Sequence, residues 1–281
     1  MRAAVIQLCT TADREENLRL ADHWMVLAVQ QGAGLLVLPE NFSFMGRSDE
    51  ERRRHWESRD DTPSLSFLQA FSRRHRVWIV GGSIPMRLAD SNKVHNSCFV
   101  VDAEGEIRGR YDKIHLFDAE LGGETPYRES DTVLAGQQAV VVESPFGRLG
   151  LTICYDLRFP ELFRALVQQG ATLFTVPAAF TRTTGQAHWE VLLRARAIEN
   201  FSYVLAAGQG GTHVNGRHTF GHSLIVEPWG EVVARCADGP GFALAELHPE
   251  RVAQSRRRVP CLHHRTLFMP TPGDETIRPV S

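Results

Sequence analysis

The sequence predicts an α/β fold built from two mixed β-sheets, each covered by helices on its outer face. Three observations carry that reading. The first third alternates short apolar runs with helix-period segments, the rhythm of strands joined by crossover helices. A second alternation of helix and strand begins near Pro160. Between and after them, Val101-Asp102-Ala103-Glu104-Gly105-Glu106-Ile107 matches Val226-Glu227-Pro228-Trp229-Gly230-Glu231-Val232 in pattern. Each is a strand, an acidic residue, a Gly-Glu turn and a returning strand; hairpins can resemble one another without a repeat, but the helix content is enough to cover two sheets, which favours two-fold pseudo-symmetry.

Ala3–Leu8 reads as the first strand. Asp13–Gln31 reads as a helix with Asp13 as its cap and Leu20, Trp24, Leu27, Ala28 and Gln31 near one face. Gly32 and Gly34 stop it. Leu35–Leu38 is a short apolar strand ended by Pro39. Ser64–His75 is a second helix, and Val77–Val80 a strand closed by Gly81-Gly82. Ser97–Asp102 and Glu106–Arg110 form a hairpin turning at Glu104-Gly105. Ala139–Glu143 and Arg148–Ile153 form another near Pro145–Gly147. Helices follow at Pro160–Gln169 and Gln186–Asn200. Further strands fall at Thr172–Val176, Tyr203–Ala207, His222–Glu227, Glu231–Arg235 and Phe242–Glu246. No Pro/Gly/Ser-rich linker divides the chain, so one domain over residues 1–265 and a C-terminal tail at 266–281 are expected.

The composition excludes several classes. A net charge of −2 over 281 residues offers no one-signed field for nucleic acid or an anionic membrane. Arg52–Arg54 sits among Asp49, Glu50, Glu51 and Glu57, as on a solvated helix face. No apolar run approaches the roughly 20 residues of a membrane span. The N-terminus lacks the features of a secretory signal, so a cytoplasmic location is expected. Five scattered cysteines fit that setting, and with no Cys-x-x-Cys pair a structural zinc site has little support.

Three residues carry potential chemistry. Cys154 ends the apolar run Leu149–Ile153 and opens Tyr155-Asp156-Leu157-Arg158-Phe159-Pro160, a strand-to-helix turn. Such a turn exposes a nucleophile at the end of a sheet and aims the next N–H at an attacked carbonyl. The nearby helix N-terminus would favour a thiolate. Glu40 lies just past the strand Leu35–Pro39, where open α/β sheets gather reactive groups, and a carboxylate there can take a thiol proton. Lys113 is one of only two lysines in the chain, in Tyr111-Asp112-Lys113-Ile114-His115-Leu116. A fixed ammonium suits a developing oxyanion. Taken singly, each also has an ordinary reading: a buried small hydrophobe, a loop carboxylate, a surface lysine.

Jointly, Leu38-Pro39-Glu40-Asn41, the Lys113 segment and Ile153-Cys154-Tyr155-Asp156-Leu157-Arg158-Phe159-Pro160-Glu161 resemble the nitrilase superfamily of carbon–nitrogen hydrolases. The resemblance runs from about Arg2 to about His264. It implies a four-layer α-β-β-α sandwich, with Cys154 as nucleophile, Glu40 as general base and Lys113 as oxyanion stabiliser. A second glutamate of the family matches Glu129 in Tyr127-Arg128-Glu129-Ser130, with a role in positioning Lys113 or the substrate. Glu124 is nearer to Lys113 in sequence but does not fit that pattern.

Two further stretches, Ala187–Glu199 and Gly221–Gly230, resemble the superfamily's amidases acting on deaminated glutathione. Omega-amidases acting on 2-oxoglutaramate are the alternative. The implied partners are a small-molecule amide and, by family habit, a second copy of the chain in a homodimer. No metal or organic cofactor is implied. Tyr155, through its N–H, and Arg158, whose guanidinium fork suits a carboxylate, are candidate substrate contacts, with Phe180 and Thr181 as pocket lining. An ion pair with a neighbouring acid is the other reading of Arg158. A glycosidase using Glu40 and Glu129 leaves Cys154 and Lys113 unexplained, a serine hydrolase built on Gly221-His222-Ser223-Leu224-Ile225 lacks the final glycine of a nucleophile elbow, and intact Glu40, Lys113 and Cys154 argue against a non-catalytic scaffold. His213, His218 and His222 are spaced loosely in a Gly-rich stretch, where satisfied or exposed histidines outnumber metal ligands.

Overall fold

The computed structural model describes residues 1–89, 91–121 and 126–266. Glu124 and nearly all of the expected C-terminal tail lie outside the described residues.

In chain order the first half contains β1 (Arg2–Gln7), α1 (Arg14–Gln30), β2 (Leu35–Val37), α2 (Asp49–Arg54), α3 (Pro63–His75), β3 (Trp78–Val80), β4 (Ile84–Arg87), β5 (Val94–Val101), β6 (Ile107–Asp112), β7 (Asp118–Ala119) and β8 (Tyr127–Arg128). The second half contains β9 (Val141–Ser144), β10 (Gly147–Leu151), α4 (Pro160–Gln168), β11 (Leu173–Ala178), α5 (Arg182–Asn200), β12 (Tyr203–Gly208), β13 (Gly210–Thr212), β14 (His218–Phe220), β15 (Leu224–Val226), β16 (Val232–Arg235), β17 (Gly241–Glu246) and α6 (Pro249–Arg258).

Two large mixed sheets result. One runs β17-β1-β2-β3-β5-β4, with β6 also paired to β5, and the other runs β16-β15-β12-β11-β10-β9. In the first, β1, β2 and β3 are parallel, β5 and β6 return antiparallel, and β17 is antiparallel at the far side. In the second, β10, β11 and β12 are parallel, β15 and β16 return antiparallel, and β9 is antiparallel at the far side. Helices α1 and α3 are the crossovers of one half, α4 and α5 those of the other. The expected pseudo-symmetry is therefore present in six strands of each sheet, and β4 is an extra strand of the first.

The two matching turns are built alike. Asp102 Oδ1 accepts from Glu104 N and Glu106 N, and Glu227 Oε1 accepts from Trp229 N and Glu231 N. Gly105 and Gly230 take φ of 80° and 93°, conformations that favour glycine. Each pair carries a bulge at its turn end, at Val100/Val101 and at Ile225/Val226.

Strand period places the core. Ala3, Val5, Leu35 and Val37 face the layer between the sheets. Ala4, Ile6, Leu36 and Leu38 face α1 and α3. Both faces of β1 and β2 are buried, as parallel strands under crossover helices require. The architecture is the four-layer α-β-β-α sandwich.

Several local expectations are corrected. The buried face of α1 is Asn17, Ala21, Met25 and Ala28, while Leu20 and Trp24 pack at its flank. Asn17 takes a core position because its amide is satisfied: Nδ2 donates to Thr11 O and Ser43 O, and Oδ1 accepts from Thr11 N. Helix α5 starts a turn earlier than expected, capped by Thr181, whose Oγ1 accepts from Thr184 N. Gly185 continues the helix there because Phe220 packs where its Cβ would stand. The run at His222 breaks at Gly221 and His222, both with positive φ, leaving the β13–β14 hairpin before β15. Helix α6 was not visible in the sequence, since it buries only Val252 and Ser255.

Gly82 ties the fold to the strand ends. Its φ is 59°, and a Cβ there would stand 2.1 Å from Pro39 O, directly behind Glu40. Gly82→Ala is expected to destabilise by about 1–3 kcal/mol from backbone strain alone and to lower turnover by displacing Glu40. Gly239→Ala, with φ of 84° and open space around it, is the control. Thermal melts and hydrolysis rates of both variants check this, and equal effects would refute the role given to Gly82.

Candidate active site

The parallel strands of both sheets end at one place, and reactive side chains sit on the residues that follow them. Buried Leu149 and Leu151 anchor β10, and Thr152 Oγ1 donates to Thr175 O on β11 at 2.9 Å. Cys154 then takes φ of 50°, a left-handed conformation rare for a residue with a Cβ, and opens a short 3-10 turn, Cys154–Arg158. Asp156, fully buried, holds that turn. Its carboxylate accepts from Ile153 N at 2.8 Å, Tyr111 Oη at 2.7 Å and His115 N at 3.1 Å, and His115 Nδ1 lies 2.7 Å away. Buried Arg196 on α5 clamps the far end, its Nε and Nη2 donating to Leu157 O at 3.0 and 2.8 Å. A strained nucleophile-type turn needs such support to persist.

Glu40 follows β2 and is 4% exposed. Its Oε1 accepts from Lys113 Nζ at 2.9 Å, and its Oε2 accepts from Ala179 N at 3.0 Å, just past β11 of the other sheet. Ser83 Oγ accepts from Asn41 N, and Gln209 Nε2 donates to Glu40 O, fixing this loop. Lys113 follows β6 and is 2% exposed. Its Nζ also donates to both oxygens of Glu129, at 3.0 and 2.8 Å. Glu129 in turn accepts from Phe117 N at 2.6 Å.

Asn96, on β5, was not singled out in the sequence. Its Nδ2 donates to Glu40 Oε1 at 2.9 Å and to Glu129 Oε1 at 3.3 Å, so it bridges the two carboxylates. Its neighbours His95 and Ser97 are polar too, and it lies just before the expected strand at Ser97, so the sequence held no clear signal for it. Asp156 stood out only as a polar residue in a turn that makes a poor core.

The protonation pattern follows from burial and neighbours. Burial alone would lower the Lys113 ammonium, but Glu129 and Glu40 more than offset it and hold it well above the usual lysine range. Burial first, then the Glu40 carboxylate, push the Cys154 thiol well above the usual cysteine range, against the pull of Lys113 and Ala179 N. The resting sulfur is thus a thiol beside a carboxylate. This corrects the thiolate expected from a nearby helix N-terminus: the turn after Cys154 is too short and the carboxylate too close.

A cavity of about 380 Å³ opens onto Glu40, Lys113, Glu129 and Cys154. Of the expected substrate contacts, Thr181 lines it. Arg158 and Phe180 do not, and the ring of Tyr155 packs against Phe117 and Phe159. Arg158 lies over the rings of Phe180 and Tyr155, its Nη1 3.3 Å from His188 Nδ1. Arg52, Arg128 and Arg217 line the cavity instead. The three histidines have separate partners: Thr10 O and Thr219 for His213, Thr212 for His218, Asp238 for His222. Among the described residues no His/Cys/Asp/Glu cluster is arranged to hold a metal ion, and no helix is long and apolar enough to cross a membrane.

A thiol, an adjacent carboxylate and a caged ammonium, brought together from two sheets, equip a protein for acyl transfer through sulfur to water. The carbon-nitrogen hydrolase family model matches residues 2–257, and the chain belongs to that family, within the nitrilase superfamily. It is a hydrolase of carbon–nitrogen bonds other than peptide bonds. It is 44% identical over 266 residues to the deaminated glutathione amidase of Synechocystis sp., covering 94% of this chain and 97% of that protein. It is 42% identical to the Bos taurus protein of the same name, covering 93% and 81%. Saccharomyces cerevisiae Nit3, a member of branch 10 of the nitrilase superfamily, matches with a TM-score of 0.84 at 30% identity, covering 92% of this chain and 94% of that one.

The electrostatics give a prediction with a definite sign. Glu40→Gln removes the charge that raises the thiol and leaves Lys113, which lowers it. The thiolate absorbance near 240 nm, measured against Cys154→Ala, is therefore expected to titrate at lower pH in Glu40→Gln than in the wild type. A titration that stays put or moves up would count against the thiol–carboxylate pairing.

Proposed function

We propose that the enzyme is an amidase that hydrolyses deaminated glutathione to 2-oxoglutarate and cysteinylglycine, a metabolite-repair reaction. The observation that carries the catalytic part is the Lys113 ammonium held by Glu40 and Glu129 beside Cys154 in an open cavity. The substrate assignment rests on the likeness to relatives bearing that name over nearly the whole chain.

In this mechanism Glu40 takes the Cys154 proton as sulfur attacks the amide carbonyl carbon. The carbonyl oxygen becomes an oxyanion held by Lys113 Nζ and the N–H of Tyr155. Glu40 returns the proton to the departing nitrogen, the carbon–nitrogen bond breaks and cysteinylglycine leaves. Glu40 then takes a proton from water as its oxygen attacks the thioester. Collapse of the second tetrahedral intermediate releases the acid and reprotonates the sulfur. Glu129 and Asn96 position Lys113 and Glu40. All five cysteines are free, which suits a reducing compartment, and the cytoplasm is the proposed setting. The proposed assembly is a homodimer, in keeping with the exposed Val191 and Ile198 on α5.

The test is hydrolysis of deaminated glutathione beside 2-oxoglutaramate, each repeated with Cys154→Ala and Glu40→Gln. Deaminated glutathione is expected to be preferred, Cys154→Ala to be inactive, and Glu40→Gln to lose about 10²–10⁴-fold in kcat. Preference for 2-oxoglutaramate would make the enzyme an omega-amidase, and wild-type rates in Cys154→Ala would end the mechanism.

A further inference from the structure

The cavity above Cys154 carries arginines that the catalytic chemistry does not use. Arg128 is paired with Glu120 at 2.6 Å. Arg52, on α2, is paired with Asp49 on the same helix. Arg217 has no carboxylate within 4.0 Å among the described residues, and its guanidinium rests 4.5 Å over the ring of Tyr127. Its backbone is fixed all the same: Arg217 N donates to Asn215 Oδ1, and Arg217 O accepts from His213 N. Asn215 Nδ2, 3.5 Å from Gly46 O, ties this hairpin loop to the segment leading into α2. Two separate parts of the chain thus each present a guanidinium to one cavity, and they are held against one another.

We propose that Arg52 and Arg217 form an anion site at the rim of the Cys154 cavity that takes a carboxylate of the substrate. Burial and the charge of Arg217 both disfavour the charged form of Arg52, and Glu129 opposes them. Asp49 offsets only the charge of Arg52, Arg217 has no such partner among the described residues, and an anion in the cavity would lower the repulsion between the two. Guanidinium forks match a carboxylate, and the ring of Tyr127 supports the Arg217 guanidinium from one side. The site replaces Arg158 as the carboxylate reader, and this inference rests on the amidase reading above. Deaminated glutathione offers two carboxylates, one on the acyl chain and one on the departing dipeptide, while 2-oxoglutaramate offers only the first.

The experiment compares wild type, Arg217→Gln, Arg217→Lys and Arg52→Gln on deaminated glutathione, 2-oxoglutaramate and the neutral amide propionamide. Binding of 2-oxoglutarate is followed by calorimetry, and Cys154 alkylation rates report an intact centre. Arg217→Gln is expected to lower kcat/KM on the anionic amides about 10- to 100-fold, mainly through KM. Propionamide turnover should stay unchanged, and Arg217→Lys should recover part of the loss. A loss on both anionic amides assigns the acyl carboxylate, and a loss on deaminated glutathione alone assigns the dipeptide carboxylate. Equal loss on propionamide, or no loss on either anionic amide, overturns the site. If the wild type hydrolyses neither anionic amide, the substrate reading has failed by itself. The calorimetry then decides: weaker 2-oxoglutarate binding in Arg217→Gln supports the site, and equal binding by the two proteins, or none by the wild type, overturns it.

Discussion

The Lys113 ammonium is enclosed by protein, and burying an ion costs several kcal/mol unless it is paired and hydrogen-bonded. Glu40 and Glu129 meet that requirement with three contacts of 2.8–3.0 Å. Asn96 then ties the two carboxylates to each other. The arrangement tolerates little displacement: removing Lys113 would leave two carboxylates side by side, and removing either carboxylate would take away contacts that offset the burial of the ammonium. Glu40 extends the constraint across the molecule: one oxygen faces Lys113 of the first sheet and the other accepts from Ala179 beyond β11 of the second. The two sheets must therefore pack in register for the site to exist, and the apolar layer between them sets that register.

Pseudo-symmetry supplies the framework but not equal shares of the chemistry. Each half delivers three parallel strands and a returning hairpin to the same place. The first half contributes carboxylates and the ammonium, whose placement needs charge balance. The second contributes Cys154, whose placement needs backbone strain and a buried Asp156 to hold it. The Gly-Glu turns, built with the same hydrogen bonds in both halves, are the part of the repeat that has stayed legible in sequence because a positive φ and an acidic cap leave few residue choices.

Much of the fold was readable because parallel strands buried on both faces leave continuous apolar runs, as at Leu35–Leu38 and Leu149–Ile153. What escaped was governed by contacts that local pattern does not encode. Asn17 enters the core through hydrogen bonds to Thr11 and Ser43, Gly185 stays helical because Phe220 covers it, and α6 docks through two buried residues. At the site, Glu40, Lys113 and Cys154 stood out as polar residues at strand ends. Asn96 did not, since its role depends on two carboxylates distant in sequence. The rim was harder still. Arg52 is on the solvated helix face expected from its charge pattern, and it pairs with Asp49 there, yet the same side chain lines the cavity. Arg158 has the guanidinium fork that suits a carboxylate, but the 3-10 turn carries it toward Phe180 and His188.

The charge count of the centre explains why the sulfur rests as a thiol. Glu40, Glu129 and Lys113 together carry one net negative charge, and an ionised Cys154 would add a second beside the buried Glu40. Burial and Glu40 both oppose that state. In the proposed mechanism the proton moves to Glu40 only as sulfur bonds to carbon, so the total charge never changes. What moves is its position, from the Glu40 carboxylate to the substrate oxygen. Lys113, released from part of its bond to Glu40 when that carboxylate is neutralised, is free to turn its field on the new oxyanion while Glu129 keeps it in place. A second carboxylate beside the lysine is thus what allows one glutamate to serve as base without letting go of the ammonium.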